Sequence, residues 1–243
     1  MPEQLWITEI LNHWFAGPVT SLLHRLGIQP TYPQAPITNA FAVELLVFSL
    51  LIVVFLLVRS SLSVDKPGAL QHVFEGAQGF VEHQAHEVIG HGGERFVPFL
   101  MSLGLFILLN NLIGLIPGFE SPTASPVVPL GCAFVAWVYY QAQGFRHAGP
   151  KYLLHFFGPV WWLGWLMLPI ELISHLARMM SLTIRLYANM FAGDMVTLVF
   201  FSLVPVGVPI IFLGLHIGVS FLQTYIFVLL TTVYLAGAVA EEH

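Results

Sequence analysis

The stretch LPIELISHLARMMSLTIRLYANMFAGD, residues 168–194, decides the fold. It lies in a long apolar region, yet Glu171, His175, Arg178, Arg185, Asn189 and Asp194 all fall within it. Glu171, His175 and Arg178 are four and three residues apart, Arg185 follows after seven and Asn189 after four. On a helix that spacing makes one polar stripe, with Leu, Ile, Met and Phe on the other faces. An ionisable group inside a membrane span costs roughly 2.5–3.5 kcal/mol on insertion scales, and it usually faces a protein partner or a water-filled path. The stripe is therefore the candidate functional site.

The rest of the chain supplies the membrane. Only 9% of the 243 residues are charged, 57% are hydrophobic, and the mean hydropathy is +0.81. A soluble domain carries about 25% charged residues. The expectation is an all-α polytopic membrane protein with about five transmembrane helices plus surface amphipathic helices. A β-barrel needs alternating strands of about ten residues, whereas these runs are continuously apolar. The single cysteine, Cys132, excludes an internal disulfide framework and a cysteine-ligated metal cluster. A net charge of -5 without a basic block gives no sign of a nucleic-acid partner. Glu3 and the lack of a basic leader segment argue against a cleavable signal peptide.

Downstream of the opening stretch the helix is expected to run to about Val204, where Pro205, Gly207 and Pro209 turn the chain. A second long helix, Ile210 to Ala240, carries His216, Gln223 and Tyr225. At 1.5 Å per residue the first would be roughly 55 Å long, against a hydrocarbon core of about 30 Å. Two such helices joined by a tight turn read as a long tilted C-terminal hairpin over 168–240.

Upstream, residues 152–169 with Gly158, Pro159, Trp161, Trp162 and Trp165 read as a bent approach to the membrane. Spans are expected at Phe41–Val58, Phe96–Ile116 and Leu130–Gln143. Glu44 lies near the start of the first, and Asn110 and Asn111 near the far end of the second. A proline-rich loop with Glu120 separates the second from the third. Between the first two, Phe74, Ala77, Val81, Ala85 and Val88 recur at three and four residues, as in an amphipathic helix on the membrane surface. His83, His86 and His91 in that segment are spaced so that imidazoles can share a metal ion. A solvated histidine-rich face accounts for the same pattern without one. Residues 1–40 form an N-terminal segment apart from the membrane domain 41–243. In it Leu5–Leu26 reads as an interfacial helix with Trp6, Trp14 and Phe15, and Pro30, Pro33 and Pro36 as extended chain. With the N-terminus outside, Arg59, Lys66, Arg95, Arg146 and Lys151 fall on the cytoplasmic side and only Arg25 outside. That asymmetry obeys the positive-inside rule and leaves the C-terminus cytoplasmic.

Chemically, an arginine remains protonated in proteins, so it can hold a carboxylate or repel a proton but cannot relay one. Asp194, Glu171, His175 and His216 can exchange protons. His216 and Gln223, seven apart, project from nearly the same helical face. The residues read as a proton path containing a fixed positive barrier, or as a buried polar network that pins helix packing.

RLYANMFAGD, Arg185–Asp194, resembles the signature of subunit a of the F-type ATP synthase, in which an essential Arg precedes L-[FY]-[GA]-N-M-[FY]-A-G-[ED]. Glu171, Arg178, His216, Gln223 and the terminal EEH match in register, and NNLIGLIPG at 110–118 resembles the family's N-L-x-x-L-x-P segment. The resemblance covers roughly residues 40–243. It implies the stator of a proton-driven rotary motor in the bacterial cell (inner) membrane, not catalytic alone and needing no cofactor or metal. Its partners would be a c-ring, b-type peripheral stalk subunits and membrane lipid. Each ring carboxylate would pass Arg185, with Gln223 beside it, separating two aqueous half-channels. The outer one would use Asp194 and His216, with Asn189 on the path and Asn111 and Glu120 towards the mouth. The inner one would use Glu171, with His175 and Arg178 near it. An acid at 194 with His at 216 is the bacterial pairing; mitochondrial relatives exchange the two residue types. The family often carries an acid in or just after the second span, where this chain has Gly114 and Phe119, and Glu120 stands in for it.

Other classes make different demands. A sodium-driven version of the same motor would share these residues, because the ring largely selects the ion. A haem-binding electron-transfer subunit needs His pairs facing one another across spans, yet His72, His83, His86, His91 and His147 lie in polar segments. A secondary transporter often repeats between its halves, and no repeat is visible here.

Overall fold

The computed structural model describes residues 5–27, 29, 32, 34–63, 68–90, 92–116, 119–149, 164–203 and 207–239. Among them it is helical throughout, with no strand. The α-helices are α1 (Trp6–Arg25), α2 (Asn39–Ser61), α3 (Ala69–Ile89), α4 (Val97–Ile113), α5 (Val127–Ala148), α6 (Gly164–Leu203) and α7 (Val208–Val239). Short 3-10 turns at Gly93–Phe96 and Pro122–Ala124 lead into α4 and α5.

Among the described residues four segments are long and apolar enough to cross a membrane: α2, α4 with its preceding turn, α6 and α7. The helix containing the remaining expected span, α5, has the length at 22 residues. Gln141, Gln143, Arg146 and His147 lower its hydropathy. It packs against both α6 and α7, and its Tyr140 and Gln141 are buried there. A helix covered by its neighbours need not be apolar all round.

The C-terminal hairpin has the expected bounds to within a few residues. At 40 and 32 residues, its helices are about 60 and 48 Å long. Gly207, at φ 91°, supplies the left-handed conformation that precedes α7. The expected bend before the hairpin is only partly described: 151–163 lie outside the described residues, while Trp165–Pro169 are already regular helix. Pro169 lies inside α6, where it leaves one i→i−4 hydrogen bond of the helix unmade.

Two apolar clusters fix the bundle. Leu103 and Ile107 of α4, Ala133 and Ala136 of α5, Leu182, Leu186 and Met190 of α6 and Phe227 of α7 make one. The other joins Val81 and Ala85 of α3 to Phe96, Leu100, Tyr140 and Leu235. The amphipathic reading of α3 therefore holds: Val81 and Ala85 are buried, with Phe74, Ala77 and Val88 half-buried on the same face. Its buried Gln71 accepts from Ser63 N at 3.1 Å and donates to Glu75 Oε1 at 2.7 Å. His83 meets Glu87 at 3.3 Å. No group of three metal-ligating side chains converges among the described residues; His91 lies outside them.

The N-terminal helix α1 exposes Trp6, Trp14 and Phe15. It is tied to α2 through Asn12, whose amide accepts from Ile37 N at 3.0 Å and donates to Ile37 O at 3.1 Å.

Candidate functional site

The polar residues of α6 resolve into levels along the hairpin, and all but that of Arg185 face a partner on another helix. Because α6 and α7 run antiparallel, the register is visible from Arg178 over Tyr234, Asn189 with Gln223, and Asp194 with His216.

At the first level Glu171 Oε1 lies 3.4 Å from His175 Nε2 and 3.9 Å from an Arg178 nitrogen. One-turn spacing on α6 puts all three on the predicted stripe. His175 is buried, and its Nδ1 is 3.1 Å from the Tyr140 hydroxyl of α5. The two rings stack with centroids 6.0 Å apart. The Arg178 guanidinium sits 5.5 Å from the centroid of Tyr234 on α7, a cation–π contact.

Arg185 holds the middle level alone. It is half-buried, and Ser181, Ala188 and Asn189, its neighbours at three and four residues on the same face, are exposed. Its Nη2 donates to Ser181 Oγ at 3.4 Å, and no carboxylate pairs with it among the described residues. One turn further on, Asn189 Nδ2 donates to Gln223 Oε1 at 2.8 Å. Gln223 is 1% exposed, and its Nε2 has no partner among the described residues.

At the third level Asp194 Oδ1 lies 3.7 Å from His216 Nδ1. Nine residues separate Asp194 from Arg185, about two and a half turns, so the two project half a turn out of phase. His216 is 4% exposed and its Nε2 is unpartnered among the described residues. The ring lies against the backbone of α6 at Gly193, where a Cβ would stand 3.1 Å from it. Any side chain at 193 would make the ring give by a few tenths of an ångström.

Asn111 of α4 is fully buried nearby on α7. Its Oδ1 accepts from Thr123 Oγ1 at 2.7 Å, and its Nδ2 lies 3.5 Å from Thr224 Oγ1. Thr224 in turn donates to Ser220 O, and Ser220 to His216 O, each at 2.8 Å. Ser121 bonds Thr123 at 2.8 Å and donates to Asn110 O at 3.1 Å. Glu120, the next residue back, is exposed, and no hydrogen bond or ion pair of its side chain is present among the described residues. Gly114 faces Ser121 so closely that a Cβ there would be 2.6 Å from Ser121 Cβ. An acidic side chain has no room at that position, which accounts physically for this departure from the family pattern.

The stripe thus brings Glu171, His175 and Arg178 together, Asn189 to Gln223, and Asp194 to His216. It leaves Arg185 apart from both acids. Sequence reasoning missed Tyr140, Tyr234, Ser121, Thr123 and Thr224. Hydroxyl groups in apolar helices must find partners, but which helix supplies them is a matter of tertiary register.

A family model described as ATP synthase A chain matches residues 41–236. The chain belongs to the ATP synthase subunit a family. It is 58% identical to "ATP synthase subunit a" of Koribacter versatilis, with all of both chains covered. It is 49% identical to the protein of that name from Solibacter usitatus, over 96% of this chain and 100% of the relative. "ATP synthase subunit a 1" of Syntrophotalea carbinolica is 44% identical over 98% of each. Subunit a is the ion-translocating component of the Fo sector, with no catalysis of its own, and a multi-pass inner-membrane protein. This membership removes the electron-transfer and transporter readings.

Proposed function

We propose that this chain is a proton-conducting stator that exchanges protons with carboxylates of a c-ring through two half-channels kept apart by Arg185. The observation that carries the reading is the arrangement of α6: two groups of proton-exchanging side chains lie about 34 Å apart along one helix, with an arginine between them that no carboxylate pairs with among the described residues. Asp194 and His216, reached through Asn189 and from a mouth near Asn111 and Glu120, deliver protons from outside. Glu171, with His175 and Arg178, releases them to the cytoplasm. The exposed face of α6 around Arg185, Ser181 and Ala188 meets the ring, with Gln223 buried behind Asn189 one turn along. The b-type stalk holds the chain against rotation. The N-terminus lies outside and the C-terminus inside, as the basic residues dictate. Since α6 and α7 both exceed the membrane's thickness of about 30 Å, the hairpin lies steeply inclined to the bilayer normal.

The test is ATP-driven pumping by the whole complex in sealed vesicles, followed as lumen acidification with and without sodium. Acidification in sodium-free buffer is expected. Pumping and ATP hydrolysis that both require sodium would overturn the proton assignment and leave the sodium motor.

A further inference from the structure

A cavity of about 390 Å³ opens between the turn before α4 and the last turn of α5, lined by Arg95, Phe96, Gln143, Arg146 and His147. It lies away from the polar levels of α6. Arg95 lies over the ring of Phe96, 4.6 Å from its centroid. No carboxylate pairs with Arg95 or Arg146 among the described residues, although Glu94 is adjacent in sequence. Two guanidiniums converging on one pocket without an anion repel each other, and their planar forks match the oxygens of a phosphate.

The surroundings say which phosphate. Phe99 stacks on Tyr139 at 3.6 Å, so the pocket stands where the apolar course of α4 begins, at headgroup depth if α4 spans. From Arg146 an exposed strip of α5 runs away from the pocket through Phe145, Ala142, Val138 and Phe134. These residues recur at three or four, so they share one helical face. A cationic pocket continuous with an apolar strip fits a phosphate headgroup with its acyl chain laid alongside; a free ion would leave the strip unused. Basic pockets between helices at the cytoplasmic side of membranes bind such headgroups. We propose that Arg95, Arg146 and His147 form a binding site for the phosphate of an anionic phospholipid.

The experiment uses the intact complex in nanodiscs of phosphatidylcholine and phosphatidylglycerol, with lipid retained on this subunit counted by native mass spectrometry. Phosphatidylglycerol is expected to be retained selectively. Arg146→Gln should lower its retention about tenfold, and Arg95→Gln with it by a similar further factor. Arg146→Lys, which keeps the charge and loses the fork, should fall between, so a general folding failure is distinguishable. Equal retention of both lipids, or unchanged retention in the double variant, would overturn the site. So would displacement of the lipid by excess inorganic phosphate alone, which would assign a free-ion site. Loss of stalk subunits with lipid retention unchanged would assign the arginines to an acidic protein partner instead.

Discussion

The polar groups at the two ends of α6 are built from similar residues and closed in different ways. Around Glu171 the acid is matched by a permanent cation, Arg178, and the group is capped by the aromatic side chains of Tyr140 and Tyr234. Around Asp194 the partner is titratable, His216, and the neighbouring groups are amides and hydroxyls. There one imidazole nitrogen has no partner among the described residues, and a glycine makes room for the ring. The first end is balanced in charge when Glu171 is ionised, with Arg178 as its permanent partner. The second can be satisfied only by sharing protons. On the proposed function, delivery to the ring therefore depends on a tightly fitted pair, and release on a looser, charge-balanced network.

The largest effect expected is at the residue that belongs to neither end. A ring carboxylate left unpaired in hydrocarbon is costly, and on the proposed function Arg185 supplies its transient partner. Arg185→Ala should abolish ATP synthesis and ATP-driven pumping while leaving passive proton flux through the membrane sector intact or raised. At 100 mV each charge that leaks forfeits about 2.3 kcal/mol. Arg185→Lys should also fail, because a buried lysine can lose its proton. Normal coupled synthesis in the Ala variant would remove the separator from the comparison altogether.

The next effects fall at the outer end. Asp194→Asn and His216→Gln should each lower proton-driven synthesis with assembly preserved. If the 3.7 Å pair works as one unit, the double variant should lose no more than the worse single change. The coupling should amount to about 0.5–3 kcal/mol. Purely additive losses in synthesis rate would mean the two residues lie on separate paths.

A smaller effect tests the fit of that end. Gly193→Ala places a methyl 3.1 Å from the His216 ring, which must shift by a few tenths of an ångström. Synthesis should fall several-fold, about 1 kcal/mol in barrier terms, and Gly193→Val should cost more. Passive assembly of the complex, judged by subunit recovery, should not change. Equal activity of glycine, alanine and valine enzymes would show that His216 needs no close approach to α6.

How much of this was legible in the sequence differs between the same two ends. Glu171, His175 and Arg178 meet on one helix, so their spacing alone announced the contact. The pairing of Asp194 with His216 depends on how two helices register across a turn, and no periodicity states that. The motif around Arg185 carried it instead. Gly114 looked like a missing acid in the sequence; only the tertiary position of Ser121 shows that the space is filled. Long helices and the amphipathic face of α3 came directly from apolar periodicity. Tyr140 did not, because a tyrosine in an apolar run reads as packing until its hydroxyl is found against a histidine.

That hydroxyl gives the smallest and sharpest test of the looser end. Tyr140→Phe removes only the oxygen 3.1 Å from His175 Nδ1 and leaves the stacked ring in place. A single neutral hydrogen bond contributes about 0.5–1.5 kcal/mol net, and an unsatisfied buried partner adds to the loss. His175 keeps Glu171 at 3.4 Å, and Glu171 keeps Arg178. A network with several supports should therefore lose some order without losing its charge balance. The expected result is a two- to tenfold slower initial rate of ATP-driven pumping, about the factor that such an energy gives, with unchanged subunit recovery. Glu171→Gln should be the more severe change, since it removes the acid itself. Combining the two should show less than additive loss if Tyr140 acts by holding His175 towards Glu171. A Tyr140→Phe enzyme as dead as the Arg185→Ala enzyme would erase the contrast between the ends, because the inner network would then be as finely fitted as the outer one. A rate identical to that of the unmodified enzyme would confine Tyr140 to packing.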